Sequence, residues 1–191
     1  MIELNYVAII GGYSSGKSDI VEILAKRAGY FHVSGDKVRK QMFPGKDLFE
    51  LNEFQRTHQN SNAYAQKHLA ILDGKNVVFD GCPINKDALN ITMGFVPGFK
   101  DYLSAKGMCL SRYMLVLDVN RSIALNRNIR RGRVDKERTE KFHKFYEDFE
   151  LPLEHSDEMG IVPTLVRRNN AEDDQRIILL DLEKMLEVKL I

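Results

Sequence analysis

Residues 5–18 read Asn5-Tyr6-Val7-Ala8-Ile9-Ile10-Gly11-Gly12-Tyr13-Ser14-Ser15-Gly16-Lys17-Ser18, an apolar run that passes into a glycine-rich turn. The first six residues are mostly apolar, which is typical of a strand buried on both faces. From Lys17 to Ala28, apolar residues recur at helical spacing until Gly29 ends the pattern. A strand followed by a turn and a helix is half of a βαβ unit, so the sequence predicts an α/β fold.

Further short apolar runs follow the first one and lie at residues 30–33, 76–80, 113–118 and 161–166. Turns and helix-like segments separate these runs, and the apolar pattern of residues 171–188 predicts a closing helix. Five strands that alternate with helices predict a parallel sheet with helices on both faces, as a three-layer α/β domain that spans residues 1–191.

The segment between the second and third predicted strands is long and rich in Gln, Asn and Ala, and it is predicted to be helical over residues 49–72. In a doubly wound fold such an excursion, here about 36–74, covers a substrate at the carboxyl edge of the sheet. Phe54, Arg56 and Tyr64 are therefore expected to line an acceptor pocket. His58 belongs to the same segment, where a surface position is the preferred interpretation.

Composition limits the class of protein. The 191 residues are 43% apolar and 29% charged with a formal net charge of +1, which fits a globular domain and argues against a protein that coats nucleic acid. No run of 18 apolar residues and no cationic leader occur, so neither a membrane span nor an export signal is expected. The two cysteines, Cys82 and Cys109, fit a reducing compartment, and the expected location is cytoplasmic.

Residues 11–18 match the pattern G-x-x-x-x-G-K-[ST] in full, after a buried strand and at the start of a helix, as that pattern requires. Backbone N–H groups in such a turn surround a β-phosphate, and the helix N-terminus adds partial positive charge. Lys17 would bridge the β- and γ-phosphates, and Ser18 would bind Mg²⁺. A nucleoside triphosphate is therefore the expected ligand. The residues expected to bind it are Gly11, Gly12, Tyr13, Ser14, Ser15, Gly16, Lys17 and Ser18.

Asp80 ends the third predicted strand, where its carboxylate would lie beside the phosphate turn. There it would hold Mg²⁺ together with Ser18, either directly or through water. The alternative is an aspartate that only caps the turn after the strand.

Asp36 and Arg39 lie three residues apart at the start of the helix that follows the second predicted strand, so they share a helical face. An acid in this position can accept the proton of an attacking hydroxyl, while the arginine steadies an anionic group of the acceptor. Asp36 is therefore the candidate general base, and Arg39 is the candidate acceptor anchor. A helix-capping aspartate in an ordinary ion pair is the alternative.

A basic stretch, residues 121–146, contains Arg127 and Arg131 one helical turn apart, with Arg133 close by. Fixed cations at this density suit the charge that develops on a transferred phosphoryl group. A solvated cationic helix face is one alternative, and a surface for nucleic acid is another.

These motifs together resemble those of the small P-loop kinases. The resemblance rests on residues 11–18, on Gly-Asp-x-x-Arg at 35–39, on Phe-Asp-Gly-x-Pro at 79–83 and on Arg-x-x-x-Arg-Gly-Arg-x-Asp at 127–135. Similar proteins are adenylate kinase-type enzymes and the polynucleotide and zeta-toxin-like hydroxyl kinases. The resemblance implies a parallel sheet of order 2-3-1-4-5, ATP bound with Mg²⁺, and a short lid at about residues 127–136.

The same resemblance implies roles for individual residues near the nucleotide. Arg127 would pack on the adenine, and Arg131 and Arg133 would grip phosphates. The turn after the last strand, which contains Asn169, would contact the purine.

One departure from the family pattern bears on the acceptor. In adenylate kinase-type enzymes an arginine after the Asp-Gly-x-Pro motif grips the acceptor's phosphate, whereas this chain has Ile84. An apolar side chain cannot replace that bidentate contact, so the sequence favours a hydroxyl acceptor. The prediction is an ATP-dependent kinase that acts on a small molecule or a nucleic-acid end. A nucleoside monophosphate kinase and a non-catalytic ATP-binding module are the alternatives, and the oligomeric state is not indicated.

Overall fold

A computed structural model describes residues 1–46, 50–82, 89, 92–131, 139–140, 143 and 164–191. Its strands are β1 (Ile2–Gly11), β2 (Phe31–Ser34), β3 (Val77–Gly81), β4 (Met108–Asp118) and β5 (Thr164–Arg168). They form one parallel sheet in the order β2-β3-β1-β4-β5. The predicted α/β class and the strand order 2-3-1-4-5 are therefore confirmed.

Helices connect the strands. In the described part of the chain they are α1 (Lys17–Ala28), α2 (Gly35–Met42), α3 (Glu53–Leu72), α4 (Phe99–Ala105), α5 (Arg121–Arg130) and α6 (Glu172–Leu186). The segment 49–72, which is predicted to be helical, contains α3 from Glu53 onward. The helix begins there because Asn52 and Gln55 form a capping box. None of these described helices is both long enough and apolar enough to cross a membrane.

The central strand β1 is buried on both faces, as its apolar run predicts. Tyr6, Ala8 and Ile10 belong to the core beneath α2, α3 and α4. Val7 and Ile9 belong to the opposite core, which α1 and α6 cover. Removing these side chains from water is the main stabilising contribution to folding. The packed sheet also gives a site at its edge a rigid support.

β2 and β3 lie within one residue of their predicted bounds, whereas the other three strands differ by more. β1 begins at Ile2 and not at Asn5, because residues 2–4 already pair with β4. β4 begins earlier than residue 113, because residues 108–112 continue the pairing with β1 although Ser111 and Arg112 interrupt the apolar pattern. β5 was predicted over 161–166 and is described as Thr164–Arg168, with 161–163 outside the described residues.

A lysine of α3 lies inside the core. Lys67 is fully buried, and its Nζ donates to the carbonyl oxygens of Thr92 at 3.0 Å and Gly94 at 2.6 Å. The same Nζ lies 4.4 Å from the ring centroids of Tyr64 and Phe95. Burial lowers the pKa of Lys67 to about 7. Through these bonds α3 holds residues 92–94, which precede α4.

Candidate active site

The phosphate turn, residues 11–18, joins β1 to α1 at the carboxyl edge of the sheet. Gly16 is the N-cap of α1 with a φ of 88°, a left-handed conformation that favours glycine. At Gly11 a Cβ atom would lie 2.6 Å from the carbonyl oxygen of Leu117 in β4. Both glycines are therefore needed for the chain to follow this course.

Lys17 is folded over the phosphate turn. Its Nζ donates to the carbonyl oxygens of Gly11 at 2.9 Å and Gly12 at 2.8 Å, and to the Ser15 hydroxyl at 3.3 Å. A phosphate in the turn would offer the ammonium group an anionic partner in place of neutral oxygens, and such bonds are the stronger ones. The lysine is thus close to where the predicted ligand would bind.

The two predicted magnesium ligands lie side by side. Ser18 Oγ is 3.1 Å from Asp80 Oδ2. Burial raises the pKa of Asp80, and the nearby Lys17 and the Ser18 hydroxyl partly oppose that effect. A hydroxyl and a carboxylate beside a phosphate turn are the hard oxygen donors that Mg²⁺ takes together with substrate phosphates. These side chains therefore fit the ion.

Side chains from α5 and from the turn after β5 support the phosphate turn. Asn169 is buried, and its Nδ2 donates to the Ser15 carbonyl oxygen at 2.6 Å. Arg127 donates from Nη1 to the Ser14 carbonyl oxygen at 3.3 Å. Asn128, which the sequence analysis missed, accepts a hydrogen bond of 2.7 Å from the Ser14 hydroxyl. The structure thus places Arg127 and Asn169 against the backbone of the turn.

The other predicted nucleotide-side residues are placed less centrally. Arg131 is exposed at the C-cap of α5. Tyr13 packs against the small apolar cluster of Val119 and Ala124. Arg133, Ile84 and the second half of the predicted lid, residues 132–136, lie outside the described residues.

The predicted base is at the start of α2. Ser34 is the register partner of Asp80 across β2 and β3, and Asp36 follows Ser34 by two residues. The predicted base therefore lies at the same sheet edge as the carboxylate of Asp80. Ser34, and not Asp36, caps α2, because its hydroxyl accepts from the Lys37 N–H at 3.4 Å. Arg39 Nη2 lies 3.5 Å from Asp36 Oδ1, and the Asp36 side chain is 68% exposed. Asp36 is therefore accessible, and it is paired with the predicted anchor.

Gln59 of α3 is a site residue that the sequence analysis missed. Its side chain is buried, and Nε2 donates to the Gly35 carbonyl oxygen at 3.0 Å, next to Asp36. The signal that could have found it is spacing, because Gln59, Ala63 and Lys67 recur every four residues and share the buried face of α3.

The residues expected to line the acceptor pocket separate into two groups. Phe54 and Arg56 are exposed near the start of α3. His58 is exposed too, as the surface interpretation predicts, and its ring lies edge-on to that of Phe54 with 5.2 Å between the ring centroids. Tyr64 instead packs against Lys67 in the core. Among the contacts of the described residues, α3 reaches the start of α2 through Gln59.

Comparisons with known proteins agree with this architecture. Solved structures with a similar fold include a gluconokinase from Sinorhizobium meliloti, with 19% identity and a TM-score of 0.61 over 96% of this chain and 94% of that chain. A shikimate kinase from Bacteroides thetaiotaomicron has 13% identity and a TM-score of 0.57 over 96% and 98%. A fungal RNA kinase has 15% identity and a TM-score of 0.68 over 99% and 91%.

These structural similarities show the fold. It is the P-loop kinase fold that the resemblance of the sequence motifs implies. A comparison with curated proteins found no match. Residues 7–152, well over half of the chain, match the family model described as an AAA domain. The chain therefore belongs to the AAA domain family.

Proposed function

We propose that the protein is a kinase that moves the γ-phosphoryl group of Mg²⁺-ATP to a hydroxyl of a nucleotide, a nucleic-acid end or another small acceptor. The observation that carries this proposal is the 3.1 Å contact between Ser18 and Asp80 at the phosphate turn, with Asp36 two residues beyond the paired Ser34. A pure nucleotide-binding module needs no accessible carboxylate at that point.

The proposed step uses side chains from the phosphate turn, from the end of β3 and from the start of α2. The acceptor oxygen attacks the γ-phosphorus, the new O–P bond forms as the bond to the β-phosphate oxygen breaks, and ADP leaves. The hydroxyl proton passes to the Asp36 carboxylate. Lys17 stabilises the charge on the phosphoryl oxygens, and Ser18 and Asp80 would hold the Mg²⁺ that comes with the nucleotide.

The arginines have supporting roles in the proposal. Arg127 lies against the phosphate turn, and its planar guanidinium is suited to stacking on an adenine. Arg131 and Arg133 would reach the phosphates from the short lid, and Arg39 would hold the acceptor. Asn169 would hold in place the turn that contacts the purine, since its side chain already donates to the Ser15 carbonyl oxygen.

The test is release of ADP that depends on an added acceptor. The acceptors are nucleosides, nucleoside monophosphates, 5′-hydroxyl oligonucleotides, D-gluconate and shikimate, of which the last two are suggested by the names of the similar structures. Transfer to a monophosphate alone would favour the nucleoside monophosphate kinase instead. Tight ATP binding with no transfer to any of them would favour the binding module.

Two variants assign the roles. Asp36→Asn should lower transfer by about 100-fold or more and leave ATP binding nearly intact, because it removes only the base. Lys17→Met should lower transfer and weaken ATP binding together. Asp73→Asn is the matched control, because Asp73 is an exposed aspartate at the opposite end of α3 and pairs with Lys75 at 3.3 Å. If Asp36→Asn transfers phosphate as fast as wild type, Asp36 is not the general base.

A further inference from the structure

The interface between α2 and α3 contains two buried polar atoms with opposite roles. Gln59 Oε1 is a hydrogen-bond acceptor and Arg39 Nε is a donor, and neither has a hydrogen-bond partner among the described residues. Both side chains are tied to the same turn, Gln59 through the Gly35 carbonyl at 3.0 Å and Arg39 through Asp36 at 3.5 Å. Unpaired buried polar atoms are costly, so a ligand with hydroxyl groups between α2 and α3 would be stabilised by pairing them.

Two exposed cationic residues, Lys46 and Arg56, belong to the segments that pack beside this turn. Arg39 Nη1 donates to the Lys46 carbonyl oxygen, and Lys46 Nζ lies 3.4 Å from Gln55 Oε1 in the first turn of α3. Arg56 is exposed and lies three residues before Gln59, so the two side chains share a helical face. We call these two exposed cations the rim, and the buried atoms of Gln59 and Arg39 the floor.

The charges are arranged unevenly from floor to rim. At the floor, the carboxylate of Asp36 already pairs with Arg39, so an acceptor phosphate placed there would meet a like charge. At the rim, the charges of Lys46 and Arg56 face solvent. A neutral hydroxyl suits the floor, and a negative group suits the rim.

We propose that the acceptor of this kinase is a hydroxyl compound that also carries a negative charge, with its hydroxyl oxygens on Gln59 and Arg39 and its anionic group on Lys46 and Arg56. The inference rests on the proposed kinase function and adds the acceptor's chemical class. The same chemistry occurs in small polyhydroxy acids and in the 5′-hydroxyl end of a phosphodiester chain, and the experiment separates these two sources.

Binding is measured first, because it does not depend on transfer. D-gluconate and D-glucitol share their hydroxyl pattern at C2–C6 and differ at C1, where gluconate has a carboxylate. A 5′-hydroxyl dinucleotide and its methylphosphonate analogue form the second matched pair. The anionic member of one pair should bind about tenfold more tightly by calorimetry and should shift the NMR signals of the Gln59 carboxamide and the Arg39 Nε–H.

Variants then assign the contacts. The double variant Lys46→Gln/Arg56→Gln should remove the preference for the anionic member without changing ATP affinity. Gln59→Met keeps the side-chain volume and should weaken both members of the binding pair about tenfold, because it removes a hydrogen-bond partner at the floor. Lys26→Gln is the control, since Lys26 is an exposed lysine on α1 that pairs with Glu22 at 3.0 Å.

The outcomes separate this inference from the proposed function. Binding of an anionic member with the expected variant effects but without phosphate transfer would remove the kinase proposal and keep the acceptor site. Equal binding within both pairs, no binding by either anionic member, or an unchanged preference in the double variant would overturn the acceptor site. The pair that binds identifies the source.

Discussion

The nucleotide side and the acceptor side of this molecule each have a lysine that donates to two backbone carbonyl oxygens. On the nucleotide side, Lys17 bonds Gly11 and Gly12 within the phosphate turn and is partly exposed. On the acceptor side, Lys67 bonds Thr92 and Gly94 and is fully buried. Lys17 can exchange its carbonyl partners for phosphate oxygens, whereas Lys67 is enclosed in the core with its carbonyl partners. The first lysine belongs to the proposed chemistry, and the second maintains the fold around it.

The two sides also differ in how the chain builds them. The phosphate turn is eight consecutive residues that run from the last residue of one strand into the start of one helix, so its backbone alone can make an anion site. The acceptor side joins the start of α2, the residue Lys46 and the first turns of α3 through side-chain contacts. Damage to the first side should therefore be severe and local, while damage to the second should be graded.

The largest effect is expected from Gly16→Ala. A methyl group there would overlap Nδ2 of Asn169, and the left-handed φ of 88° is strained for alanine. The side chain of Asn169 would have to leave the Ser15 carbonyl oxygen. The turn can relieve this overlap and strain, about 2–3 kcal/mol together with the lost hydrogen bond, only by leaving the conformation that surrounds a phosphate. We therefore expect Mg²⁺-ATP affinity to fall by roughly 100-fold. Calorimetric titration of ATP measures it.

Gly29→Ala is the matched control for this change. Gly29 is also left-handed, with a φ of 71°, but no atom lies within 4 Å of an added Cβ. It should lose about 1–2 kcal/mol of unfolding free energy from the same backbone strain and keep its ATP affinity. If both variants bind ATP equally well, the contact between Gly16 and Asn169 does not support the nucleotide site.

The next effect concerns the buried lysine and its dependence on pH. Lys67 has a pKa of about 7 in the folded protein, against an ordinary value of 10.5 in the unfolded chain. Between these values the unfolded chain binds more protons, so folding stability rises with pH. From pH 7 to 9 the gain from this one group should be about 2 kcal/mol. Urea unfolding of wild type and Lys67→Met at each pH measures it as a difference.

The sign of that difference is specific. Wild type should gain stability relative to Lys67→Met as pH rises from 7 to 9, because above pH 7 folding must remove a proton from Lys67 and this becomes easier as pH rises. Lys26→Met, at an exposed lysine, should leave the slope unchanged. A flat difference between wild type and Lys67→Met would mean that Lys67 titrates normally.

Much of the nucleotide side was predictable from the sequence, and the reason is locality. The pattern of residues 11–18 specifies its own backbone, and parallel strands bring Asp80 to the same edge. The strand order was predicted from the resemblance to P-loop kinases and is confirmed. The roles of the residues in phosphoryl transfer stay predictions.

The acceptor side was predictable only in part. Asp36 and Arg39 are close in sequence, so helical geometry alone predicts their contact. Gln59 is 24 residues from its partner Gly35, and no local pattern reports a pairing over that distance. Lys46 reaches Arg39 through its backbone carbonyl, which any residue has. Contacts of this kind depend on how α2 and α3 pack, and packing is settled by the whole core.

A smaller effect is expected from Asn169→Ala on the nucleotide side. The variant removes the 2.6 Å hydrogen bond to Ser15 but introduces no clash and no strain. We expect ATP affinity to fall about tenfold, since a buried carbonyl left without its donor costs about 1–3 kcal/mol. Asn170→Ala is the control, because Asn170 bonds the backbone N–H of Asn120 and not the phosphate turn. Equal losses in the two variants would assign the effect to the β5–α6 turn as a whole.

The smallest effect is expected from Gly35→Ala on the acceptor side. The φ of Gly35 is ordinary for a helix, and a Cβ atom would lie 3.1 Å from Gln59 Nε2, so the carboxamide must move by a few tenths of an ångström. Alanine also favours the helix over glycine by up to about 1 kcal/mol. Stability should therefore change little or rise, while acceptor-dependent turnover falls a few-fold at unchanged ATP affinity. Steady-state kinetics with the acceptor and with ATP, beside a thermal melt, separate these quantities. A parallel fall in stability and turnover would show that the variant only loosens α2, whereas lost turnover in a protein of equal or greater stability would locate the defect at Gln59.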